Sequence, residues 1–441
     1  MDRISSLSEK PRVYKPRRLA DWLNPTNSKK VHSLVDKVYK QKNLELAWAK
    51  VKQNKGSGGI DGENIEQFES NLLDNLTRLH RELSTQTYHP KPVKQQLIPK
   101  GGQANAFRIL GIPTIYDRVC QQALLNRLEP IFEPVFDEAS FGYRPGRSTK
   151  DALRKVWQEL KSGREWVLDA DLKDFFGSVE HEKLKTLFSQ RISDGRVLRL
   201  ILSIIQAGYI SGGKLYSTDH GLPQGSPISP LASNVLLTPF DRSMRNKGYF
   251  LTRFADDWVV TCTTRKEAES ALDYADRVLN KLGVTLNRNK TGIVQTKQGF
   301  EFLGYKIKRG EKRFRLASDK IQSGLKQGDL YAYPRQKSID HFKDQIRNQT
   351  KRKSPLPTVG IISAVNPIIR GWGNYYSKSQ VRRLFNQLDR WIVRRIWSQR
   401  QGNWRNAGWK TLPESKLYGE LGLVNLISLI PSLKRHKSGT L

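Results

Sequence analysis

Two adjacent carboxylates between an aromatic residue and an apolar run place the strongest constraint on how this chain folds. They are Asp256 and Asp257, in the segment Arg253-Phe254-Ala255-Asp256-Asp257-Trp258-Val259-Val260. The apolar, β-branched run favours a buried strand, so we predict a tight turn that enters it. Two buried carboxylates are costly unless a cation neutralises them, and Mg²⁺ prefers such hard oxygen ligands. A solvated Asp-Asp turn is the competing interpretation.

A second acidic segment, Trp166-Val167-Leu168-Asp169-Ala170-Asp171-Leu172, has the same character. It is an apolar strand that ends in carboxylates, and Asp174-Phe175-Phe176 follows it. Asp169 and Asp171 share one face of an extended strand because side chains alternate. If the two strands are neighbours, Asp171, Asp256 and Asp257 converge on two cations. Such a pair of ions activates an attacking hydroxyl and stabilises a leaving pyrophosphate, which is polymerase chemistry.

The two acidic segments belong to a series of motifs along the chain. In chain order they are Asn54-Lys55-Gly56, Gly59-Ile60-Asp61-Gly62, Tyr88-His89-Pro90-Lys91-Pro92-Val93, Ile98-Pro99-Lys100, Leu110-Gly111-Ile112-Pro113-Thr114 with Asp117-Arg118, Ser140-Phe141-Gly142-Tyr143-Arg144-Pro145-Gly146-Arg147-Ser148, the Asp171 segment, Gly221-Leu222-Pro223-Gln224-Gly225-Ser226-Pro227-Ile228-Ser229-Pro230-Leu231, Phe254-Ala255-Asp256-Asp257, Leu286-Asn287 with Lys290-Thr291, Gly299-Phe300-Glu301-Phe302-Leu303-Gly304-Tyr305, and Asn366-Pro367-Ile368-Ile369-Arg370-Gly371-Trp372-Gly373-Asn374-Tyr375-Tyr376. In this order, the motifs resemble those of the reverse transcriptase/maturases encoded by bacterial group II introns, and the last one resembles the family's maturase (thumb) signature. The resemblance extends from about Val38 to about Leu423.

The resemblance implies a mixed α/β (α+β) right-hand polymerase with fingers and palm, followed by an all-α thumb/maturase domain. We predict four regions along the chain. They are a basic flexible arm (1–28), a helical N-terminal extension of the fingers (29–95), the reverse transcriptase fingers and palm (96–315), and a thumb/maturase RNA-binding domain (316–441). In the last region, a helix is predicted over 378–400. Arginines flank or oppose its apolar stripe and are candidates for phosphate contact: Arg382, Arg383, Arg390 and Arg394.

The resemblance also implies the metal ligands. Asp171, Asp256 and Asp257 match the family's catalytic positions, with the backbone carbonyl of Leu172 as an additional ligand. Asp169 and Asp174 are the local alternatives to Asp171. The expected cofactor is a pair of Mg²⁺ ions per site, with Mn²⁺ as a substitute.

Six further residues resemble the family's nucleotide-binding positions: Lys100, Arg108, Phe176, Gln224, Gly225 and Lys290. Phe176 would crowd the sugar 2′ position and make the product DNA, although at least one of Phe175 and Phe176 is ordinary core. Gln224 and Gly225 would contact nucleotide and template at a turn. Lys100 and Arg108 would meet the triphosphate. Lys290 would lie near the leaving pyrophosphate, and a surface lysine is the equal alternative.

Charge and its distribution indicate a polyanionic partner. The chain carries 76 Lys+Arg against 42 Asp+Glu, a formal net charge of +34. Residues 1–55 hold 14 basic and 5 acidic residues, and residues 301–441 hold 29 and 9, so only +5 remains for the middle. A near-neutral centre between basic ends is typical of a catalytic core with extensions that grip nucleic acid. The expected partners are structured intron RNA, an RNA template with DNA primer or target DNA, and dNTPs.

Composition predicts a cytoplasmic protein without a membrane span. Cys120 and Cys262 lie in apolar contexts, which excludes a disulfide framework and a four-cysteine zinc site. No apolar run approaches the roughly 20 residues that a bilayer requires. One histidine and no cysteine follow Trp409, so we expect no HNH endonuclease module. The sequence departs from the family pattern at Ile109, Gly177, Ser226 and Phe254, none of which is a predicted metal ligand.

These features predict an RNA-directed DNA polymerase that also binds its intron RNA and supports splicing and mobility. One alternative is an RNA-binding splicing maturase whose polymerase is vestigial. Another is a repurposed relative that acts in phage defence or DNA repair.

Overall fold

The computed structural model describes residues 30–99, 107–216, 219–310, 329–351, 355–401, 410 and 412–431. It leaves the side chains of residues 108, 400 and 401 undescribed. Lys100 and the predicted arm of residues 1–28 lie outside the described residues. None of the helices in the described ranges combines the length and apolarity that a membrane span requires.

In residues 30–99, four helices precede the first strand: α1 (Val35–Tyr39), α2 (Gln41–Gln53), α3 (Ile65–Ser70) and α4 (Leu72–Thr85). Asn64 begins α3 with a capping box, in which its side chain and that of Gln67 each accept the other's backbone N–H, at 2.8 and 2.9 Å. Leu76 and Leu79 of α4 are fully buried, as their helical spacing predicts. These helices pack around α5 (Ile115–Phe132) and share its core, so they support the fingers directly.

The fingers contain a four-stranded sheet made of two hairpins. Its strands are β1 (Val93–Pro99), β2 (Phe107–Ile112), β4 (Tyr209–Ser211) and β5 (Lys214–Tyr216), in the order β2-β1-β4-β5. β1 and β2 are antiparallel, whereas β1 and β4 are parallel. Arg108 lies opposite Ile98 in this register, so the predicted triphosphate-contacting position is on the outer strand of the fingers.

The palm is a four-stranded antiparallel sheet in the order β6-β7-β3-β8. Its strands are β3 (Trp166–Ala170), β6 (Phe250–Phe254), β7 (Asp257–Cys262) and β8 (Gly292–Gln295). Alternation along the strands separates two faces, because Leu168 and Val260 join one core while Val167 and Val259 join another. Helices α10 (Ser229–Asn246) and α11 (Arg265–Lys281) cover the first face, and α6 (Thr149–Lys161) covers the second. Three shorter helices complete the palm: α7 (Phe175–Ser178), α8 (His181–Ser189) and α9 (Gly195–Ile205).

A three-stranded antiparallel sheet in the order β11-β10-β9 precedes the helices of the thumb. Its strands are β9 (Phe300–Phe302), β10 (Tyr305–Arg309) and β11 (Leu330–Pro334), and the helices are α12 (Gln336–Gln349), α13 (Thr358–Tyr376) and α14 (Arg382–Gln401). Residues 316–441 were expected to be all-helical, but β11 pairs with the whole of β10. The strand forms there because β10 would otherwise present an unpaired edge. The helix predicted over 378–400 corresponds to α14, and Leu388 and Ile392 of its predicted stripe are buried.

Candidate active site

A two-residue turn carries the acidic pair. Phe254 at the end of β6 pairs with Asp257 at the start of β7, so Ala255 and Asp256 form the turn, as the sequence predicts. Ala255 has a φ of +59°, and positive φ at the first turn residue matches the twist of a hairpin. Gly142 packs beneath this turn, where any Cβ would collide with the backbone nitrogen of Ala255. The close backbone approach therefore requires glycine at this position.

Pairing of β3 with β7 brings the two acidic segments together. Ala170 lies opposite Trp258, so Asp171 and Asp257 lie at the same end of neighbouring strands. Burial raises the pKa of Asp257 to about 7, and the charges of Asp256 and Asp171 add to the rise. These effects require short separations, because charge interactions decline with distance. The structure therefore places the three predicted carboxylates in one cluster.

Two acidic residues beyond the predicted three belong to this cluster. Burial raises the pKa of Asp169 to about 7, and the charges of Asp257, Glu301 and Asp171 contribute further. Asp169 was considered only as an alternative to Asp171, but the structure places both beside Asp257. Glu301 was not predicted as a site residue, although it lies in the quoted motif Gly299-Phe300-Glu301-Phe302-Leu303-Gly304-Tyr305. Across the described residues, no three acidic, histidine or cysteine side chains lie close enough together to hold a metal ion as they stand. A bound ion would therefore have to draw the carboxylates of this cluster closer together.

Positive and polar groups surround Asp171. Lys290 donates from Nζ to Asp171 Oδ2 at 2.8 Å, and Asn287 Nδ2 lies 3.4 Å from the same oxygen. The Asn287 N–H also donates to the Asp171 carbonyl at 2.9 Å, and Leu172 forms a bridge with Leu286. Lys290 therefore lies beside a carboxylate that the sequence predicts to be catalytic, on the chain segment that follows α11.

Phe176, Gln224, Gly225 and Asp256 line one cleft of about 680 Å³ between fingers and palm. The Gly111 N–H donates to the Gln224 carbonyl at 2.7 Å, which joins the turn to β2. Gly225 has a φ of +108° and lies so close to the Gly111 carbonyl that a side chain is excluded. Four of the predicted residues thus border the same space.

The departure at Ser226 has a structural partner. The Ser226 hydroxyl is buried and donates to Gln121 Oε1 on α5 at 2.5 Å. The serine therefore satisfies a buried amide oxygen that a glycine would leave without this bond.

Phe175 and Phe176 differ in burial, as expected for a pair in which one ring is core. Phe175 is 2% exposed, whereas Phe176 is only partly buried and contacts it edge-on at 5.4 Å between ring centroids. The Phe176 carbonyl accepts from the Leu222 N–H at 2.6 Å, which holds the ring beside the Gln224 turn. Gly177, which follows this pair, is another departure from the family pattern. The Asp174 carboxylate occupies the space that a Cβ at this position would need.

Arg253 is a functional candidate that sequence reasoning did not single out. Its side chain is fully buried and forms an ion pair with Asp241, with Nε–Oδ1 and Nη2–Oδ2 distances of 2.6 and 2.5 Å. Its Nη1 donates to the Ala255 carbonyl at 2.8 Å and to Asn234 Oδ1 at 3.1 Å. The guanidinium therefore fixes the turn that carries the acidic pair. The sequence offered one signal for this residue, because Arg253 directly precedes the Phe254-Ala255-Asp256-Asp257 motif.

Tyrosines of α13 anchor the turn between β9 and β10. Tyr375 donates from its hydroxyl to the Leu303 carbonyl at 2.8 Å, and Tyr376 donates to the Gly304 carbonyl at 3.1 Å. Both turn residues have positive φ, +47° and +79°. The Leu303 N–H is hydrogen-bonded to Asp257, which lowers the pKa of this carboxyl against the effect of burial. The maturase signature thus reaches the acidic cluster through one turn.

The predicted RNA-binding arginines lie on α14. Arg382, Arg390 and Arg394 are exposed, and Arg383 is partly buried. None of the four borders the fingers–palm cleft within the described part of the chain.

Comparisons with known proteins agree with this geometry. A family model for "Reverse transcriptase (RNA-dependent DNA polymerase)" matches residues 98–307, and one for "Group II intron, maturase-specific domain" matches residues 339–415. Protein YkfC of Escherichia coli is 31% identical over 339 residues, which cover 68% of this chain and 88% of that protein. The group II intron-encoded protein LtrA of Lactococcus lactis is 26% identical over 424 residues, covering 78% and 69%.

A fungal relative matches a similar length of this chain. The uncharacterized 91 kDa protein in the cob intron of Schizosaccharomyces pombe is 26% identical over 423 residues, covering 75% of this chain and 49% of that protein. The two matched models lie in the order in which palm and thumb occur in the fold. The chain therefore belongs to the group II intron type of reverse transcriptase, which joins a polymerase to a maturase-specific domain, and it is an RNA-directed DNA polymerase.

Proposed function

We propose that the chain extends a DNA primer on an RNA template with two Mg²⁺ ions held by Asp171, Asp256, Asp257 and the Leu172 carbonyl. The convergence of the three carboxylates at the ends of β3 and β7 is the observation that supports this most strongly. The donors are all hard oxygens, and their mutual repulsion favours a divalent cation, Mg²⁺ or Mn²⁺. When bound, such ions activate the primer hydroxyl and neutralise the triphosphate.

We assign the nucleotide-contacting roles from the same cleft. Phe176 and Gln224 border it, so they can contact the sugar of an incoming nucleotide. Lys290 is ion-paired with Asp171 and can exchange this partner for a phosphate oxygen. Arg108 and Lys100 are assigned to the triphosphate by their positions in the family motif. Residues 316–441 are proposed to bind intron RNA, with the arginines of α14 on phosphates, and so to support splicing and mobility.

Primer extension with a conservative variant tests the polymerase assignment. Asp257→Asn keeps the size of the side chain and removes the charge, so we expect a loss of about a hundredfold or more in nucleotide incorporation on an RNA template with Mg²⁺. Asp273→Asn, on the exposed side of α11, is the matched control and retains activity. Equal incorporation by both variants would refute the assignment. A wild-type protein without incorporation on any RNA template would favour the splicing maturase with a vestigial polymerase.

The same assay tests Phe176. Replacement by Ala removes the ring from the cleft, so we expect discrimination between dNTPs and rNTPs to fall roughly tenfold or more. Phe175→Leu, which alters the buried neighbour, leaves the ratio unchanged while lowering stability. An unchanged ratio in Phe176→Ala would show that the ring is core only.

A further inference from the structure

A second cavity lies outside the catalytic cleft, where the palm meets the thumb. It has a volume of about 280 Å³ and lies between α6, β10 and the residues that follow α13. Its lining shares no residue with the fingers–palm cleft. We call it the palm–thumb pocket, defined by Lys150, Arg154, Trp157, Tyr305, Tyr375 and Lys378.

Three of the residues that line the palm–thumb pocket are cations. Lys150 and Lys378 are exposed, and neither has an ion-pair partner in the part of the chain that the structure describes. Arg154 is also exposed. Its Nη1 forms an ion pair with Oδ1 of Asp151, a residue in the first turn of α6, at 2.8 Å. The local balance of three positive groups against one carboxylate favours an anion such as a phosphate.

Three aromatic side chains also line the pocket. Trp157 is partly buried on the same face of α6 as Lys150 and Arg154, since the three residues are spaced by four and three positions. Tyr305 is 6% exposed and contacts Tyr375, with 5.4 Å between ring centroids. A pocket of this volume is just below the roughly 300–1,000 Å³ that holds drug-sized ligands, which suits a single planar ring system.

Hydrogen bonds connect the pocket to the catalytic carboxylates. Tyr305 donates from its hydroxyl to the Tyr375 carbonyl at 2.5 Å, and Tyr375 donates to the Leu303 carbonyl. The Leu303 N–H is bonded to Asp257. A ligand that orders the two tyrosines therefore also orders the turn beside the active site.

We propose that the palm–thumb pocket binds one unpaired nucleotide of a bound polynucleotide, with its base against Trp157 and its phosphate between Lys150 and Lys378. Every base has a flat face that stacks on an aromatic side chain, and the flanking cations hold the backbone. This inference rests on the proposed binding of nucleic acid and adds a site for it outside the catalytic cleft. RNA and a single DNA strand share the required chemistry, so the experiment compares both.

Binding of fluorescently labelled oligonucleotides tests the proposal. The probes are a short single-stranded RNA, the DNA of the same sequence, and the fully paired RNA duplex. Lys150→Gln/Lys378→Gln removes the two unpaired charges, and Lys247→Gln/Lys266→Gln is the matched control. Lys266 is the second residue of α11, as Lys150 is of α6, but α11 covers the opposite face of the palm sheet.

We expect the pocket lysine variant to lower the slope of log affinity against log salt by about 0.7 for single strands, since the two lysines share one phosphate and each lost phosphate contact contributes roughly 0.7. The control variant lowers this slope equally for every probe or leaves it unchanged. Trp157→Leu should weaken single-strand binding about fivefold or more and leave duplex binding unchanged, because only an unpaired base can stack in the pocket. A thermal unfolding scan of Trp157→Leu shows whether the variant is folded.

The RNA and DNA probes distinguish the possible occupants of the pocket. A single-strand loss confined to RNA identifies template or intron RNA as the occupant, and one confined to DNA identifies primer or target DNA; both support the pocket. The proposal is overturned if the pocket variants bind every probe as the control variant does. It is also overturned if Trp157→Leu loses as much affinity for the duplex as for the single strands. Primer extension on a short template is measured in parallel. Its absence in the wild type refutes the proposed polymerase without affecting the binding result.

Discussion

Arg253 is the residue on which the geometry of the acidic pair depends most. Burial raises the pKa of Asp241, and the charge and hydrogen bonds of Arg253 act against this rise. Removal of the guanidinium leaves a buried carboxyl without its partner and the Ala255 carbonyl without its donor. Breaking one side of a buried ion pair costs about 3–5 kcal/mol, whereas an apolar replacement of both partners is often neutral.

A double-mutant cycle separates the two roles of Arg253. We expect Arg253→Met to lower the free energy of unfolding by about 3–5 kcal/mol, and Arg253→Met/Asp241→Leu to recover much of this loss. Primer extension stays low in both variants, because the turn that carries Asp256 has lost its support. Urea unfolding and extension assays measure the two effects. Recovery of activity together with stability would show that Arg253 does not position the turn.

Asp194 acts at the scale of elements, because it begins α9 and also holds the start of α1. Its Oδ2 accepts the N–H groups of Leu34 and Val35 at 2.7 and 2.9 Å. Its Oδ1 accepts those of Arg196 and Val197 at 3.0 and 3.3 Å. Burial acts to raise the pKa of Asp194, but the four donors outweigh it and the pKa is lowered. One carboxylate thus joins the N-terminal helices to the palm.

We expect Asp194→Ala to lower the free energy of unfolding by about 2 kcal/mol near neutral pH, at the upper end for a helix cap. Because the folded-state pKa is below the unfolded one, this stabilisation exists above the ordinary pKa of Asp and is lost as pH falls through the folded value. The difference between wild type and variant should therefore shrink below about pH 4. Urea titrations at several pH values measure it. Asp36→Ala, an exposed carboxylate of α1, is the control, and a difference independent of pH would contradict the assignment.

At the scale of the whole molecule, the net charge of +34 predicts steep salt dependence of RNA binding. The exposed Arg382 and Arg390 of α14 test which surface is responsible. We expect Arg382→Gln/Arg390→Gln to weaken binding similarly for different RNA sequences and to lower the salt slope by about 1–2. Arg265→Gln on α11, where Arg265 is paired with Glu269, should leave the slope unchanged. Loss for one RNA sequence alone would indicate base recognition instead of phosphate contact.

Local pattern determined the elements at the active site. The β-branched run after Asp257 predicted a buried strand behind a tight turn, and alternation placed Asp169 and Asp171 on one face. Both are consequences of strand geometry, which neighbouring residues suffice to establish. The strand β11 was missed because its pairing with β10 depends on residues that lie more than 20 positions away.

The sequence by itself determined the chemistry available to this protein: a pair of acidic strand ends, motifs in polymerase order and an excess of positive charge at the two ends. Only the tertiary structure decided which groups act together. Asp169 and Glu301 join the cluster, Arg253 is buried with Asp241, and α6 meets α13 at the palm–thumb pocket. The reason is physical, since alternation assigns a side chain to a face but strand pairing and helix packing between distant segments decide what that face meets.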